Sequence, residues 1–269
     1  MKAATVLISF VGVAGLAFFG MSGFAQSQSV WLENLTTEEV QAAVSAGKTT
    51  AIFWASGVHQ SGPAIALGKH MFVVRHVAQR VAEELGNALV LPIDPYSPSK
   101  SPDGDPTKKE DHLRFAGSAS ITNETFGAMV REVVTSFIVS SDFKNVMILG
   151  DHGSSGQAVL QKVAEEMDAE WKSKGAHIYY IPIHNDFDKT LMPEYLEKRK
   201  NIPGPLGRRQ IGIDDASELM AIERNDAWVR KNKIAPDVRS VASAEVGKAF
   251  IDLKVGAAVQ RIRNLVPVK

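Results

Sequence analysis

The sequence predicts an α/β fold, a three-layer αβα sandwich around a mostly parallel central sheet. Three observations carry this. Short apolar or β-branched runs alternate along the chain with longer segments of helical apolar spacing. Turn residues separate the segments. The chain is 45% hydrophobic with no internal repeat, which supplies a core and excludes a disordered or fibrous protein.

The elements follow in order. Thr36-Thr37-Glu38-Glu39 is a capping box: the Thr36 hydroxyl and the Glu39 carboxylate each satisfy an orphan N–H of a helix that runs to about Ala46. Residues 49–54 are β-branched and aromatic, a buried strand. After a turn-rich loop, Lys69 to Leu85 carries Val73, Val77 and Val81 at helical spacing, and Gly86-Asn87 stops it. Ala88 to Ile93 is a second strand. The stretch Asp94 to Asp111 holds four prolines with many Ser and Asp, so it is a loop, read equally as a functional loop or a surface excursion. A helix from Asn123, with Asn123 as N-cap, reaches about Ser140. Then come a strand at 145–149, a helix at 155–171, a strand at 177–183 and a polar stretch to Arg209. Helices at about 214–223 and 243–263 close the chain.

Composition narrows the function. Lys and Arg number 30 and Asp and Glu 30, so the basic face a nucleic-acid binder needs is not expected. With no Cys, disulfides, thiolate metal sites and a Cys nucleophile are excluded. Residues 1–25 read as a signal peptide: Lys2, an uncharged apolar run, then Gly23-Phe24-Ala25 before Gln26. An uncleaved anchor is the alternative, since the apolar run approaches the length of a span. The expectation is a single domain at 26–269, periplasmic or secreted, with no membrane contact after cleavage.

The chemistry rests on histidines. His59 lies in the loop after the first strand, His70 eleven residues later at the head of the next helix, and His152 in Gly150-Asp151-His152-Gly153 after the third strand. If those strands are parallel neighbours, His59 and His152 reach one sheet edge. His70 joins them if the Gly/Pro loop folds back. Three imidazoles can hold one zinc ion with a fourth position for water, and their nitrogens would then sit roughly 3–3.5 Å apart. On spacing alone, scattered surface histidines are the commoner outcome. Gly153-Ser154-Ser155-Gly156 has neither nucleophile-elbow spacing nor a phosphate-loop Lys. The run His184-Asn185-Asp186-Phe187-Asp188 lacks the full calcium-loop pattern.

Taken in order, the segments resemble the creatininase family, the creatinine amidohydrolases and their relatives. The family motif G-x-x-E-Q-H-G-P-H-L-P-L-G-T-D is similar to the stretch Gly57 to His70, where Gln60, Gly62, Pro63, Leu67 and Gly68 keep the frame. H-x-x-F-P-G-T is similar to His112-Leu113-Arg114-Phe115-Ala116-Gly117-Ser118. N-G-H-G-G-N resembles Gly150 to Ser155, and H-A-G-x-x-E-T-S resembles Gln210 to Ser217.

The resemblance implies a two-metal site in relatives, and here its ligand positions differ. The positions of one metal's Glu, Asp and His are occupied by His59, His70 and His152. The second metal's His is matched by Ser61, and its shared Asp by His70, which cannot bridge two ions as a carboxylate does. Ser154 and Asp215 stand near the position of a further, variable carboxylate ligand. The reading is one divalent metal on three histidines, Zn first, with Mn or Fe as alternatives. Replacement by another competent ligand favours this over decay of the site. Asp151 and Asp215 are the catalytic candidates, to orient a His ligand or accept a proton from water. His112 and His184 are the substrate-facing candidates. The implied activity is hydrolysis of a C–N bond in an amide or cyclic amide of a small-molecule substrate, with a homo-oligomer, a hexamer in relatives, as the implied assembly. The alternatives are lyase or redox chemistry on the same fold, or a metal-free binding protein.

Overall fold

The structure, a computed structural model, describes residues 29–98, 105–109, 111–151, 156–200, 212–223, 225 and 227–266. Four strands form one sheet in the order β2-β1-β3-β4: β1 Thr50–Ala55, β2 Ala88–Val90, β3 Asn145–Gly150 and β4 His177–Tyr180. Every pairing between them is parallel. β1 and β3 are direct neighbours, with Ala55 opposite Gly150, so their carboxyl ends lie side by side.

All six residues of β1 are buried, and alternate ones serve different cores. Ile52 and Trp54 face one layer with Met147 and Leu149, whereas Ala51 and Phe53 face the other with Val146 and Ile148. That two-sided burial is why the strand reads as a continuous apolar run rather than an alternating one. Helices α1 (Thr37–Ser45), α3 (Asn123–Ser141) and α4 (Gly156–Trp171) border the second core. The first is covered by α2 (Lys69–Leu85) and by two helices near the end of the chain. The sandwich architecture expected from the alternation is present.

The caps follow the sequence closely, with one shift. The Thr36–Glu39 capping box is formed in full. Gly86 closes α2 in the left-handed region at φ 77°, where its N–H donates to Ala82 O. The cap of α3 is Thr122 rather than Asn123: its extended backbone lets Oγ1 accept the Thr125 N–H at 3.1 Å.

Two strands stop short of expectation, and a proline explains each. β2 ends at Val90 ahead of Pro92, and β4 ends at Tyr180 ahead of Pro182, where no N–H is available for the ladder. The polar stretch expected after β4 is instead largely helical: α5 (Ile183–Asp186), a π-helical turn Phe187–Leu191, then α6 (Met192–Lys200). Phe187 anchors it, fully buried and edge-on to Phe250 at 5.4 Å between centroids. The chain finishes with α7 (Ile213–Ile222), a short α8 (Pro236–Arg239) and α9 (Ala244–Leu265). Within that pair α7 packs directly on α9: a Cβ on Gly247 would lie 1.8 Å from Ser217 O, so only glycine allows the approach.

Among the described residues no helix is long and apolar enough to cross a membrane. The leader expected at residues 1–25 lies outside them.

Candidate active site

The site forms where the carboxyl ends of β1 and β3 meet the head of α2, the usual ligand position of a parallel sheet. The loop leaving β1 is fixed by its backbone. The His59 N–H donates to Leu67 O at 3.3 Å, and the Ala119 N–H donates to Val58 O at 2.9 Å. The Gln60 N–H donates to Ser118 Oγ at 3.1 Å. Gly62 turns at φ 71°, and its N–H donates to Gln60 Oε1 at 2.8 Å. The loop therefore folds back, and the His59 and His70 rings come to 4.8 Å between centroids, tilted by 51°.

Each imidazole has a defined setting. His59 is buried, and burial, with the Lys69 charge and His112 adding to it, lowers its pKa to about 4. His70 is pushed well below the ordinary range, by burial first and by Lys69 next. Both are neutral near pH 7, the form a metal ligand or a base requires. His70 Nδ1 lies 2.9 Å from Asp151 Oδ2. With the Asp151 carboxylate as acceptor, the ring donates its Nδ1–H, so Nε2 is the nitrogen that carries no proton. Asp151 is the first residue beyond β3, where its N–H donates to Ala55 O at 3.0 Å.

The other expected residues are partly assembled here. The His112 ring lies 4.3 Å from that of His59, and its Nδ1 is 3.3 Å from Gln60 Nε2. His184 lines a cavity beside His70 and lies 3.4 Å from Asp188. Asp215 sits at the same cavity, with Oδ2 bonded to Lys69 Nζ at 2.5 Å. Burial alone would raise the Asp215 carboxyl, but the Lys69 ammonium, helped by His70, holds it below its ordinary value. His152, Ser154 and the segment Gln210-Ile211 lie outside the described residues.

Three buried ionic residues were not anticipated: Lys69, Lys254 and Glu218. Lys254 Nζ lies 2.8 and 2.9 Å from the two Glu218 oxygens and 3.7 Å from Asp151 Oδ1. Burial works against the Lys254 charge, but Glu218 and Asp151 overcome it and raise its pKa. The residues share a cavity of ≈ 20 Å³, room for about one water-sized guest. Asp151, Asp188, Asp214, Asp215 and Glu218 face it, against two ammonium groups. Asp214 is pushed up to about 6, by burial first and then by Asp215 beside it. Sequence did hold a signal for the lysines. Lys69 stands one step of four before Val73 and Val77, and Lys254 four after Phe250, so both lie on stripes that face the core.

A two-imidazole pair with a carboxylate behind one ring suits a divalent ion: rings on a shared ion have centroids roughly 5 Å apart when each nitrogen is about 2 Å from it. Among the described residues, no group of three or more His, Asp and Glu is arranged to hold a metal ion. What this edge offers is a pair of neutral imidazoles, an oriented His–Asp couple and a dense field of buried charge.

Comparison with known proteins places this arrangement. The creatininase family model, described as creatinine amidohydrolase, matches residues 33–209. Curated protein sequences give no match. A crystal structure of creatinine amidohydrolase (creatininase) is 20% identical with a TM-score of 0.72, covering 90% of this chain and 100% of its own. A creatininase mutant of Zn–Zn type is 18% identical with a TM-score of 0.70 and the same coverage. A putative creatinine amidohydrolase from Bacteroides fragilis NCTC 9343 is 13% identical with a TM-score of 0.64, covering 90% of this chain and 98% of its own. At such identities the solved structures speak for the fold, and the family model speaks for the sequence. Spanning the loop of His59, the head of α2 and the Asp151 turn in one match, it shows that the chain belongs to the creatininase family.

Proposed function

We propose that the chain is an exported, metal-dependent hydrolase of the creatininase family that cleaves a C–N bond of an amide or cyclic amide, with one divalent ion held by His59, His70 and His152. The observation that carries this reading is the His59–His70 pair, 4.8 Å apart and backed by Asp151. His152 follows Asp151 directly in sequence.

A divalent ion at such a site lowers the pKa of a bound water and polarises a carbonyl. Zn²⁺ suits imidazole donors, and Mn²⁺ or Fe²⁺ are alternatives. The chain's own residues do the rest. Asp151 fixes the tautomer of His70 and keeps its Nε2 directed away from the carboxylate. Asp215, held ionised by Lys69, is a hydrogen-bond acceptor for a substrate amide N–H and too weak a base to take a proton easily. His112 beside His59, and His184 beside His70, supply neighbouring imidazoles to orient a polar substrate and return a proton to the leaving nitrogen. One observation favours a second reading, a metal-free binding protein: the Lys69 charge stands beside both imidazoles and opposes a second cation.

The test is a panel of cyclic amides and small linear amides, creatinine included, incubated with purified protein plus Zn²⁺ or Mn²⁺ and read by mass spectrometry for the gain of one water. Turnover that disappears in the His59→Ala His70→Ala double variant supports the reading. No turnover on any member with either ion counts against it.

A further inference from the structure

We infer that Lys254 is a positioning residue: held by Glu218 and placed against Asp151, its ammonium fixes the Asp151 carboxylate and, through it, the proton position on His70. The inference deepens the proposed one-ion reading. It rests on that reading for the use made of His70, but not for the state of the ring.

The first support is geometric. A chain of contacts leads from the imidazole pair into the interior. Asp151 Oδ2 lies 2.9 Å from His70 Nδ1, and Oδ1 faces Lys254 Nζ at 3.7 Å. Beyond the ammonium, the two Glu218 oxygens lie 2.8 and 2.9 Å from Nζ. Side-chain exposure falls along this chain, from 11% at His70 to 4% at Glu218. Little water is therefore present to screen the Lys254 charge from Asp151.

The second support is that Lys254 is itself held. Glu218 grips it from α7, and its Nζ sits over the Phe187 ring, 4.4 Å from the centroid. Gly247 brings the backbone of α9 against Ser217, the residue before Glu218, so the two helices that carry the pair cannot slide apart freely. Lys254 and Glu218 already satisfy each other's charge, and a pair that served stability alone would need no third member. The contact with Asp151 ties that pair to the site.

The third support is what Asp151 needs. The torsion that turns its carboxylate is soft, and a bond from one neutral ring does not lock it. An ammonium against the other oxygen does. With an apolar side chain at position 254, that oxygen is buried without its cation, a costly state. The carboxylate turns to relieve it, and His70 Nδ1 loses its fixed acceptor.

The experiment reads the His70 ring by ¹⁵N NMR of the full chain labelled at histidine, without added metal, its signals identified by their absence from His70→Ala. The unaltered chain is compared with Lys254→Met and with Val134→Ala. Val134 is buried on the opposite face of the sheet, so its truncation controls for lost stability alone. Lys254→Met Glu218→Leu takes the place of Lys254→Met if the single variant does not fold. The expected result is a single neutral ring with its proton on Nδ1 in the unaltered chain and in Val134→Ala, and loss of that single state in the Lys254 variant. An unmoved ring state in the Lys254 variant overturns the inference, as does an equal change in Val134→Ala or a proton on Nε2 in the unaltered chain.

Titration with Zn²⁺ then reads the consequence. The Lys254 substitution is expected to weaken binding about tenfold, and to change it less than about twofold where Asp151→Asn is already present. Equal losses in both backgrounds overturn the inference, because Lys254 would then act without Asp151. The outcomes separate the two claims. An unaltered chain that binds no Zn²⁺ but shows the expected ring states defeats the one-ion reading and leaves this inference standing. Zn²⁺ bound by the unaltered chain, with the ring unmoved in the Lys254 variant, defeats this inference alone.

Discussion

His70 Nδ1 lies 2.9 Å from Asp151 Oδ2, a bond that ties the first turn of α2 to the end of β3. It joins two segments 81 residues apart and sets the tautomer of the ring. Asp151→Asn keeps the shape but removes the acceptor charge that fixes the ring. We expect metal affinity or turnover to fall about 10–100-fold. Isothermal titration with Zn²⁺, alongside far-UV dichroism to verify the fold, checks it.

The buried ion pair of Lys254 and Glu218 gives a stability prediction. Lys254→Met leaves Glu218 and Asp151 buried without that ammonium, so we expect a loss of about 3–5 kcal/mol in urea unfolding. Adding Glu218→Leu removes one stranded buried carboxyl and should recover part of the loss. A double variant no more stable than the single one would show that the cost lies in packing instead.

Asp94 makes stability depend on pH. It is buried, its Oδ1 accepts the Tyr96 N–H at 3.0 Å, and among the described residues its Oδ2 has no hydrogen-bond partner. Burial raises its pKa to about 7, above an ordinary value of 3.8. The unfolded chain thus loses this proton at lower pH than the folded chain. The stability contributed by Asp94 is present at pH 4 and declines as pH rises toward 7. Asp94→Asn retains the acceptor for Tyr96 and carries no charge. We expect it to stabilise the protein by roughly 2–4 kcal/mol at pH 8 and by little at pH 4, as measured by chemical denaturation at the two pH values.

Gly247 tests the packing under the site. A methyl group there would meet the backbone of Ser217 at 1.8 Å, and backbone cannot swing aside as a side chain can. Gly247→Ala must push α9 off α7, beside the Glu218–Lys254 pair. A loss of about 3 kcal/mol or more is expected, at the upper end for overpacking. Gly256→Ala on the same helix, where the added carbon meets nothing within 4 Å, should be neutral or slightly stabilising in the same thermal melts.

Local signals in the sequence were legible where one physical cause dominated. The α2 boundaries, Lys69 and Leu85, followed from valines at helical spacing and a left-handed glycine. The closeness of His59 and His70 was conditional on the loop folding back, which backbone bonds such as His59 N–H to Leu67 O bring about. The helical stretch after β4 was hidden because Asn185, Asp186 and Asp188 read as loop chemistry. Tertiary burial of Phe187 outweighs that local preference. Lys69 and Lys254 were passed over because lysine on a helix usually faces water. Only their phase relative to Val73 and Phe250 marks them as inward.

The central claim is that His59 and His70, with His152, hold one divalent ion. Its most direct test is metal bound per chain in protein purified without chelator, dialysed and analysed for Zn, Mn and Fe, beside His59→Ala. The account predicts close to one equivalent in the unaltered chain and loss of most of it in His59→Ala. Less than about a tenth of an equivalent that does not rise on incubation with Zn²⁺ or Mn²⁺, or a full equivalent retained in His59→Ala, would contradict it.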